Sequence, residues 1–243
     1  MNEEFSADYK TEIKERANEI LICSRVIKAF PFKCSELIEE LGKEVAIEIF
    51  PFSWIEEQGM NAEDLLHSND AETFEWNGRY VMFLNQAMPS ARMRFSESHE
   101  TAHIVLGHDI EVITEYRKKK DQRLKVLYEK YETEANYFAA CLLMPETVIN
   151  RLKALGCHIT KDFLQRTFGV SEQAAQIRLK TLNRNLNRYI SYWEKEKSLD
   201  NAVLLKFADF IQKIAPRRKS YEEEYEHEEQ MQEERNRWIA EGY

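Results

Sequence analysis

Hydrophobic and polar positions recur along the first fifty residues with two different periods. Residues 8–29 and 34–42 carry apolar side chains three and four positions apart, which predicts two amphipathic helices. Residues 44–50 alternate instead, with Ile47 and Ile49 on the same face, as in a strand that is buried on one side. The pattern therefore predicts an α+β fold for this part of the chain.

A β-hairpin is predicted next. Residues 72–76 and 79–85 are rich in β-prone side chains and are separated by Asn77-Gly78. An Asn-Gly pair is the strongest short-range hairpin signal, because a type I′ turn needs a positive φ at both residues. A small antiparallel sheet is therefore expected just before the segment that carries the candidate chemistry.

The segment from His99 to His103, HETAH, is the main source of that chemistry. On a helix, His99 and His103 lie on the same face and can bind one metal ion together. Glu100 lies about 100° round the helix from His99, where it can reach a water molecule on the metal without being a ligand. Two histidine ligands, an open position and a general base are typical of zinc hydrolases. Ser96 is predicted to cap this helix and Gly107 to end it.

His108 follows directly after this helix. It is five residues from His103, or about 140° round an ideal helix, so it cannot join the metal while the helix stays regular. We therefore predict a capping or packing histidine rather than a ligand.

A third ligand is expected from a second helix, for which residues 131–145 are the candidate. Glu132 shares a face with Asn136, so Glu132 could bind the metal while Asn136, in the second shell of the site, hydrogen-bonds a ligand histidine. Glu134 lies about 200° away from Glu132 and would point elsewhere. The alternative is that both glutamates are solvated surface residues.

Two blocks of the sequence resemble the ImmA/IrrE family of metallo-endopeptidases. The first, RMRFSESHETAHIVLGH, runs from Arg92 to His108, and the second, ETEANYFAACLLMP, runs from Glu132 to Pro145. The resemblance covers roughly residues 20–185. It implies a zincin-like α+β fold in which His99, His103 and Glu132 bind zinc and Glu100 is the catalytic base. Asn136 stands where relatives often carry aspartate.

Composition excludes some classes of function. The net charge of −9 over 243 residues argues against a general nucleic-acid binder. The sequence has neither a long apolar stretch nor a signal-like N-terminus, so we expect a cytoplasmic protein without a membrane partner. The four cysteines lack C-x-x-C spacing and are expected to be reduced and buried: Cys23, Cys34, Cys141 and Cys157.

Residues 160–183 suggest a competing interpretation, DNA binding, because they resemble a helix-turn-helix with Ser171 capping the second helix. Four residues of that helix could read bases: Gln173, Gln176, Arg178 and Lys180. The surroundings are not strongly basic, and the family resemblance covers the same segment, so packing within the peptidase domain is favoured. The alternative function is a DNA-associated regulator whose metal site is structural or sensory.

The chain is predicted to contain four segments: a helical lead-in at residues 1–19, the peptidase domain at 20–185, a helical extension at 186–219 and a charged tail at 220–243. The tail has few apolar residues and is expected to be a solvated helix or disordered.

These observations predict a zinc-dependent endopeptidase. The resemblance implies one class of protein substrate, a helix-turn-helix transcriptional repressor of a mobile element or a stress response. The hairpin around Asn77-Gly78 is expected to present an edge to that substrate. Tyr131, Tyr137 and His108 are candidates to stabilise the oxyanion.

Overall fold

The computed structural model describes residues 7–185, 194–216 and 229–237. In chain order the labelled elements are α1 (Ala7–Cys23), α2 (Cys34–Leu41), β1 (Ile47–Pro51), α3 (Phe52–Glu57), α4 (Ala62–Leu65), β2 (Ala71–Trp76), β3 (Arg79–Leu84), α5 (Ser90–Val105), α6 (Ile110–Lys119), α7 (Lys125–Leu143), α8 (Glu146–Ala154), α9 (Lys161–Phe168), α10 (Glu172–Asn185), α11 (Glu194–Lys206) and α12 (Ala208–Ile214). Residues 229–237, within the predicted tail, form an exposed helix. Over the described ranges, no helix is both long and apolar enough to span a membrane.

The three strands form one mixed sheet in the order β1-β3-β2. β2 and β3 are the predicted hairpin, and Asn77 and Gly78 have the positive φ values, 51° and 71°, that its turn requires. β1 pairs with β3 in parallel, so the sheet is mixed rather than wholly antiparallel. A parallel pair needs a crossover connection, which α3, α4 and β2 provide here.

One hydrophobic core joins the N-terminal helix to the helical extension. α7 contacts α5 and α1, and its Phe138 and Leu142 are fully buried. Val203 lies on α11, and Phe207 directly follows that helix. Both belong to the same buried cluster. α1 therefore crosses the predicted boundary at residue 19, and the extension packs into the core of the domain. The predicted boundaries after residues 185 and 219 adjoin or fall among residues that are not described.

Two predicted elements have different ends in the structure. α1 stops at Cys23 rather than at residue 29, because Ser24 Oγ accepts hydrogen bonds from the backbone N–H groups of Val26 and Ile27, both at 3.2 Å. β1 begins at Ile47 rather than at residue 44, because the preceding residues continue the turn after α2.

All four cysteines are free thiols. Cys34 and Cys141 are buried as predicted, and Cys157 is half-buried. Cys23 is exposed, against the prediction, because α1 ends there with its side chain outside the core.

Candidate metal centre

α5 carries the histidine pair in its C-terminal half. The helix begins at Ser90 behind Pro89, whose carbonyl accepts hydrogen bonds from the N–H groups of Arg92 and Met93. The prediction that Ser96 is the N-cap was wrong, because the residues before it are good helix formers that extend the helix towards the N-terminus. His99 and His103 therefore gain backbone hydrogen bonds on both sides, which fix their common face.

The end of α5 turns the chain so that His108 lies beside His103. Gly107 has a φ of 67° and donates to Ile104 O at 3.1 Å, while the N–H of His108 donates to His103 O at 2.9 Å. This pair of bonds is a Schellman motif, which needs the left-handed conformation that glycine adopts without strain. The two Nδ1 atoms of His103 and His108 are consequently 2.9 Å apart, although an ideal helix would separate the rings.

α7 supplies the polar groups that face the histidine pair. Glu132 Oε2 lies 3.3 Å from His99 Nε2, and Glu132 Oε1 lies 3.8 Å from His103 Nε2. Asn136, one helical turn later, places Oδ1 3.1 Å from His99 Nδ1. The structure therefore brings together the three predicted metal ligands and Asn136.

Glu134 lies behind the pair rather than in solvent. It is buried, and its Oε2 is 2.8 Å from His108 Nε2, while Lys130 Nζ is 3.5 Å from its other oxygen. Burial raises the pKa of Glu134 to about 7. The glutamate does not face His99, but it is connected to His103 through His108.

These hydrogen bonds determine which ring nitrogens face the centre. Burial, together with the charge of His99, lowers the pKa of His108 to about 4, so this ring is neutral and has one N–H. With Glu134 ionised, that N–H is on Nε2, and His108 Nδ1 is left to accept the Nδ1–H of His103. His99 likewise donates its Nδ1–H to Asn136, so the Nε2 atoms of His99 and His103 face each other across 3.1 Å.

The charges around these nitrogens favour a cation. Burial opposes ionisation of Glu132, but its hydrogen bond to His99 and the charges of His99 and Arg117 lower the pKa of Glu132 to about 2. Burial also disfavours charge on His99, yet the hydrogen bond to Glu132 raises the pKa of His99 overall. Burial, followed by the charge of His99, lowers the pKa of His103 well below its ordinary value. The carboxylate of Glu132 thus stabilises a positive charge at His99, whereas His103 is neutral.

The donor set fits a zinc ion. Two nitrogens bound to one tetrahedral zinc at about 2.0–2.1 Å lie about 3.3 Å from each other. The observed separations are 3.1 Å between the two Nε2 atoms and 3.3 Å from His99 Nε2 to Glu132 Oε2. Glu100 also offers an oxygen within 4.8 Å of a nitrogen of each histidine. Proximity alone thus leaves two carboxylates that could bind the metal.

The centre opens into a cleft of about 310 Å³. Its other wall includes Ser68, Asp70 and Ala71, which lead into β2, and Arg92 of α5 holds this segment through two bonds to Asp70 at 2.7 and 2.8 Å. The turn at Asn77-Gly78 is at the far end of β2, about 20 Å away at the rise of a strand. The edge of the sheet that lies beside the centre is therefore the start of β2, not the turn at Asn77-Gly78.

The predicted oxyanion-stabilising residues do not line this cleft. Tyr131 stacks on His108 with ring centroids 4.4 Å apart, and burial raises the pKa of Tyr137. Tyr128, one helical turn before Glu132 on α7, lines the cleft instead. Tyr128 and Glu132 are four residues apart, as are Glu132 and Asn136, so this spacing places all three on one face of α7.

Residues 55–180, more than half of the chain, match the IrrE N-terminal-like domain, Peptidase_M78. The chain belongs to this metallopeptidase family. The resemblance to ImmA/IrrE proteins and the α+β fold are thereby confirmed.

The other comparisons are distant. Among curated proteins there is no match. A solved structure, a "Mycobacterium tuberculosis transcriptional regulator", is similar with a TM-score of 0.43 and 16% identity, covering 74% of this chain and 53% of that one. The chain thus spans about half the length of that protein.

In this IrrE-like domain, the helix-turn-helix-like segment packs against the site helices. α9 and α10 form the predicted helix pair, but Arg178 is only 1% exposed and donates to Met144 O at 2.8 and 3.0 Å. The suggestion that Arg178 could read bases was therefore wrong. Arg94 of α5 donates to Gly169 O in the turn between the two helices. The remaining candidates for base contacts are exposed: Gln173, Gln176 and Lys180.

The structure also reveals a charged residue that the sequence analysis missed. Arg117 of α6 is buried, and its Nη2 lies 2.9 Å from Glu132 Oε1 and 3.7 Å from Glu100 Oε1. Burial acts to lower the pKa of Arg117, but these carboxylates raise it overall, so the side chain remains a cation. The sequence around it, TEYRKKK, is typical of a solvated helix face.

Proposed function

We propose that the chain is a zinc-dependent endopeptidase in which His99, His103 and Glu132 hold the metal. The observation that carries the proposal is the pair of Nε2 atoms, 3.1 Å apart, with Glu132 Oε2 3.3 Å from one of them. The Nδ1 atom of each ring has its own hydrogen-bond partner. In our proposal Asn136 and His108 therefore orient the ligand rings.

Glu132 is our choice of third ligand, and Glu100 our choice of base. Glu132 approaches from a second helix and faces both histidines. Glu100 is adjacent to His99 on α5, offset by about 100°. This offset suits a group that acts on water beside the metal better than a third ligand.

The residues of the centre would have different roles in catalysis. A bound zinc ion supplies Lewis-acid chemistry, polarising the scissile carbonyl and lowering the pKa of water to about 7. Glu100 would take a proton from the attacking water and deliver it to the leaving amine. Burial raises the pKa of Glu100, which favours this proton exchange. Tyr128, in the cleft, would donate a hydrogen bond to the developing oxyanion.

The substrate that we propose is a folded protein in the cytoplasm, a helix-turn-helix transcriptional repressor, cut at one exposed segment. The family resemblance supplies this class, and the segment before β2 offers an edge beside the centre. Contacts away from the cut would position the repressor, so short peptides and unfolded casein should be poor substrates.

Metal analysis and cleavage assays on one set of variants test the proposal. We expect about one zinc per chain, lost in His99→Ala, His103→Ala and Glu132→Ala. Glu100→Gln should keep zinc and fold but lose cleavage, because the amide cannot accept the proton. Glu129→Gln, at an exposed position of α7, is the matched control.

Two results would contradict specific parts of this assignment. Loss of zinc in Glu100→Gln, with zinc retained in Glu132→Ala, would exchange the roles of the two carboxylates. Full zinc occupancy after both histidine changes would exclude the metal centre altogether.

A further inference from the structure

We propose that Arg117 is a positioning residue that restricts Glu132 to one metal-binding oxygen and so keeps coordination positions open for water and substrate. This inference rests on the proposed function, because it assumes that the metal binds at His99, His103 and Glu132.

The two oxygens of Glu132 have different surroundings. Oε1 accepts a hydrogen bond from Arg117 Nη2 at 2.9 Å, whereas Oε2 lies 3.3 Å from His99 Nε2. A carboxylate can bind a metal through one oxygen or through both. Oε1 is engaged by a guanidinium, a strong charge-assisted donor, so Oε2 is the better ligand.

One-oxygen binding is important for the chemistry of the centre. Catalytic zinc sites have three protein ligands and keep a further position for water or substrate. If Glu132 bound through both oxygens, its second oxygen would be a fifth ligand beside water and would occupy space that the substrate needs at the metal. Arg117 therefore protects the open position without touching the substrate.

A second buried carboxylate, that of Glu72, lies near Arg117. Glu72 of β2 is fully buried, and its Oε1 lies 3.7 Å from Arg117 Nη1. Among the described residues, neither of these two atoms has a hydrogen-bond partner. A buried ion pair contributes little stability compared with apolar residues of similar size. Stability alone therefore does not explain why Arg117 is buried here.

Cobalt substitution provides a measurement that does not depend on activity. Co²⁺ in place of zinc absorbs visible light, and this absorption weakens when a four-coordinate centre gains a fifth ligand. Arg117→Met frees Oε1, so we expect weaker absorption by the cobalt-loaded protein. Zinc affinity, measured by chelator competition, should not fall. Cleavage should fall by about 10–100-fold in kcat, as for other residues that support metal ligands.

Further variants control for folding and for charge. Arg117→Met leaves Glu72 buried without its partner, so Arg117→Met/Glu72→Gln is measured beside it. Arg117→Lys retains the charge and should restore part of the wild-type spectrum. Arg79→Met removes an exposed arginine, 3.0 Å from Glu48, and should change neither spectrum nor activity.

The outcomes separate this inference from the proposed function. An unchanged cobalt spectrum in the folded single or double variant would overturn the role of Arg117. A parallel loss of zinc affinity and thermal stability would also overturn it, since that result indicates a merely structural arginine. Failure of the wild-type protein to bind zinc or cobalt would instead overturn the proposed function.

Discussion

His108 Nδ1 lies 2.9 Å from His103 Nδ1, and the other ring nitrogen of His108 lies 2.8 Å from Glu134 Oε2. The three side chains form a buried line from a carboxylate to a proposed metal ligand. Because a neutral imidazole has one donor and one acceptor, this line assigns the Nε2 lone pair of His103 to the centre. His108, which follows the end of α5, thus determines the tautomer of His103 within that helix.

We predict that His108→Phe weakens zinc binding by about 10–100-fold, because it removes the acceptor that orients His103. Phenylalanine retains a flat ring against Tyr131, which stacks on His108 at 4.4 Å. Competition with a chelator measures the affinity, and circular dichroism measures the fold. His108→Asn retains an acceptor and should have a smaller effect.

His158→Phe, at an exposed position, is the control for an added aromatic ring. Unchanged zinc affinity in a folded His108→Phe protein would contradict the orienting role. In that case the contact between the two rings would be packing alone.

The buried Arg178 leads to a second prediction. Arg178→Met should reduce the free energy of unfolding by about 1–3 kcal/mol, because the carbonyl of Met144 loses its buried donor. Lys180→Met, on the exposed face of α10, should change it by less than about 0.5 kcal/mol. Urea unfolding of both variants measures the difference.

The same helix tests the alternative of a DNA-associated regulator. Lys180→Ala and Gln176→Ala leave the core intact, so a gel shift with these variants reports on DNA contacts alone. We expect no specific DNA binding in the parent protein. Specific binding that these two changes abolish would favour the regulator.

Thiol reactivity gives a third prediction. Burial raises the pKa of the Cys34 thiol to about 12, and burial also raises that of Cys141. Since the thiolate is the reactive form, both should resist maleimide at neutral pH, whereas exposed Cys23 should react first. Mass spectrometry of peptides after a short labelling pulse identifies the modified site. Labelling of Cys34 as fast as Cys23 in the folded protein would contradict the buried position.

The fourth prediction concerns the helical extension. Phe207 is fully buried, with its ring centroid 4.7 Å from that of Phe30. Phe207→Ala should lower the free energy of unfolding by about 3–5 kcal/mol, the usual effect of removing a large core side chain. Leu205→Ala, at a position that is 78% exposed, is the control.

If the extension were a separate unit, Phe207→Ala would leave the unfolding of the domain and its zinc affinity unchanged. Measuring both in the same variant decides between one cooperative core and an independent appendage.

Several features could be predicted from the sequence because they depend only on local chemistry. The hairpin is predicted because Asn77 and Gly78 readily adopt the positive φ values that its turn needs. The end of α5 is predicted because Gly107 does so as well. The common face of His99 and His103, and that of Glu132 and Asn136, follows from helical spacing. The family resemblance needed only the order of these short motifs, which the match over residues 55–180 confirms.

Other features depend on how distant segments meet. No local rule pairs β1 in parallel with β3, because that register is set across a crossover. Arg117 and Glu72 are 45 positions apart (117 minus 72), and only packing of α6 against β2 brings their charges together beside Glu132.

The sequence by itself therefore determined the motif helices, the hairpin and the family, since each depends on backbone preferences or spacings within a few residues. The tertiary structure decided which charged groups are buried. Arg178 became a core residue, Glu134 became a partner of His108, and Arg117 joined the candidate centre. Burial of a charge depends on the groups that surround it in three dimensions, which the local pattern of a polar helix does not encode.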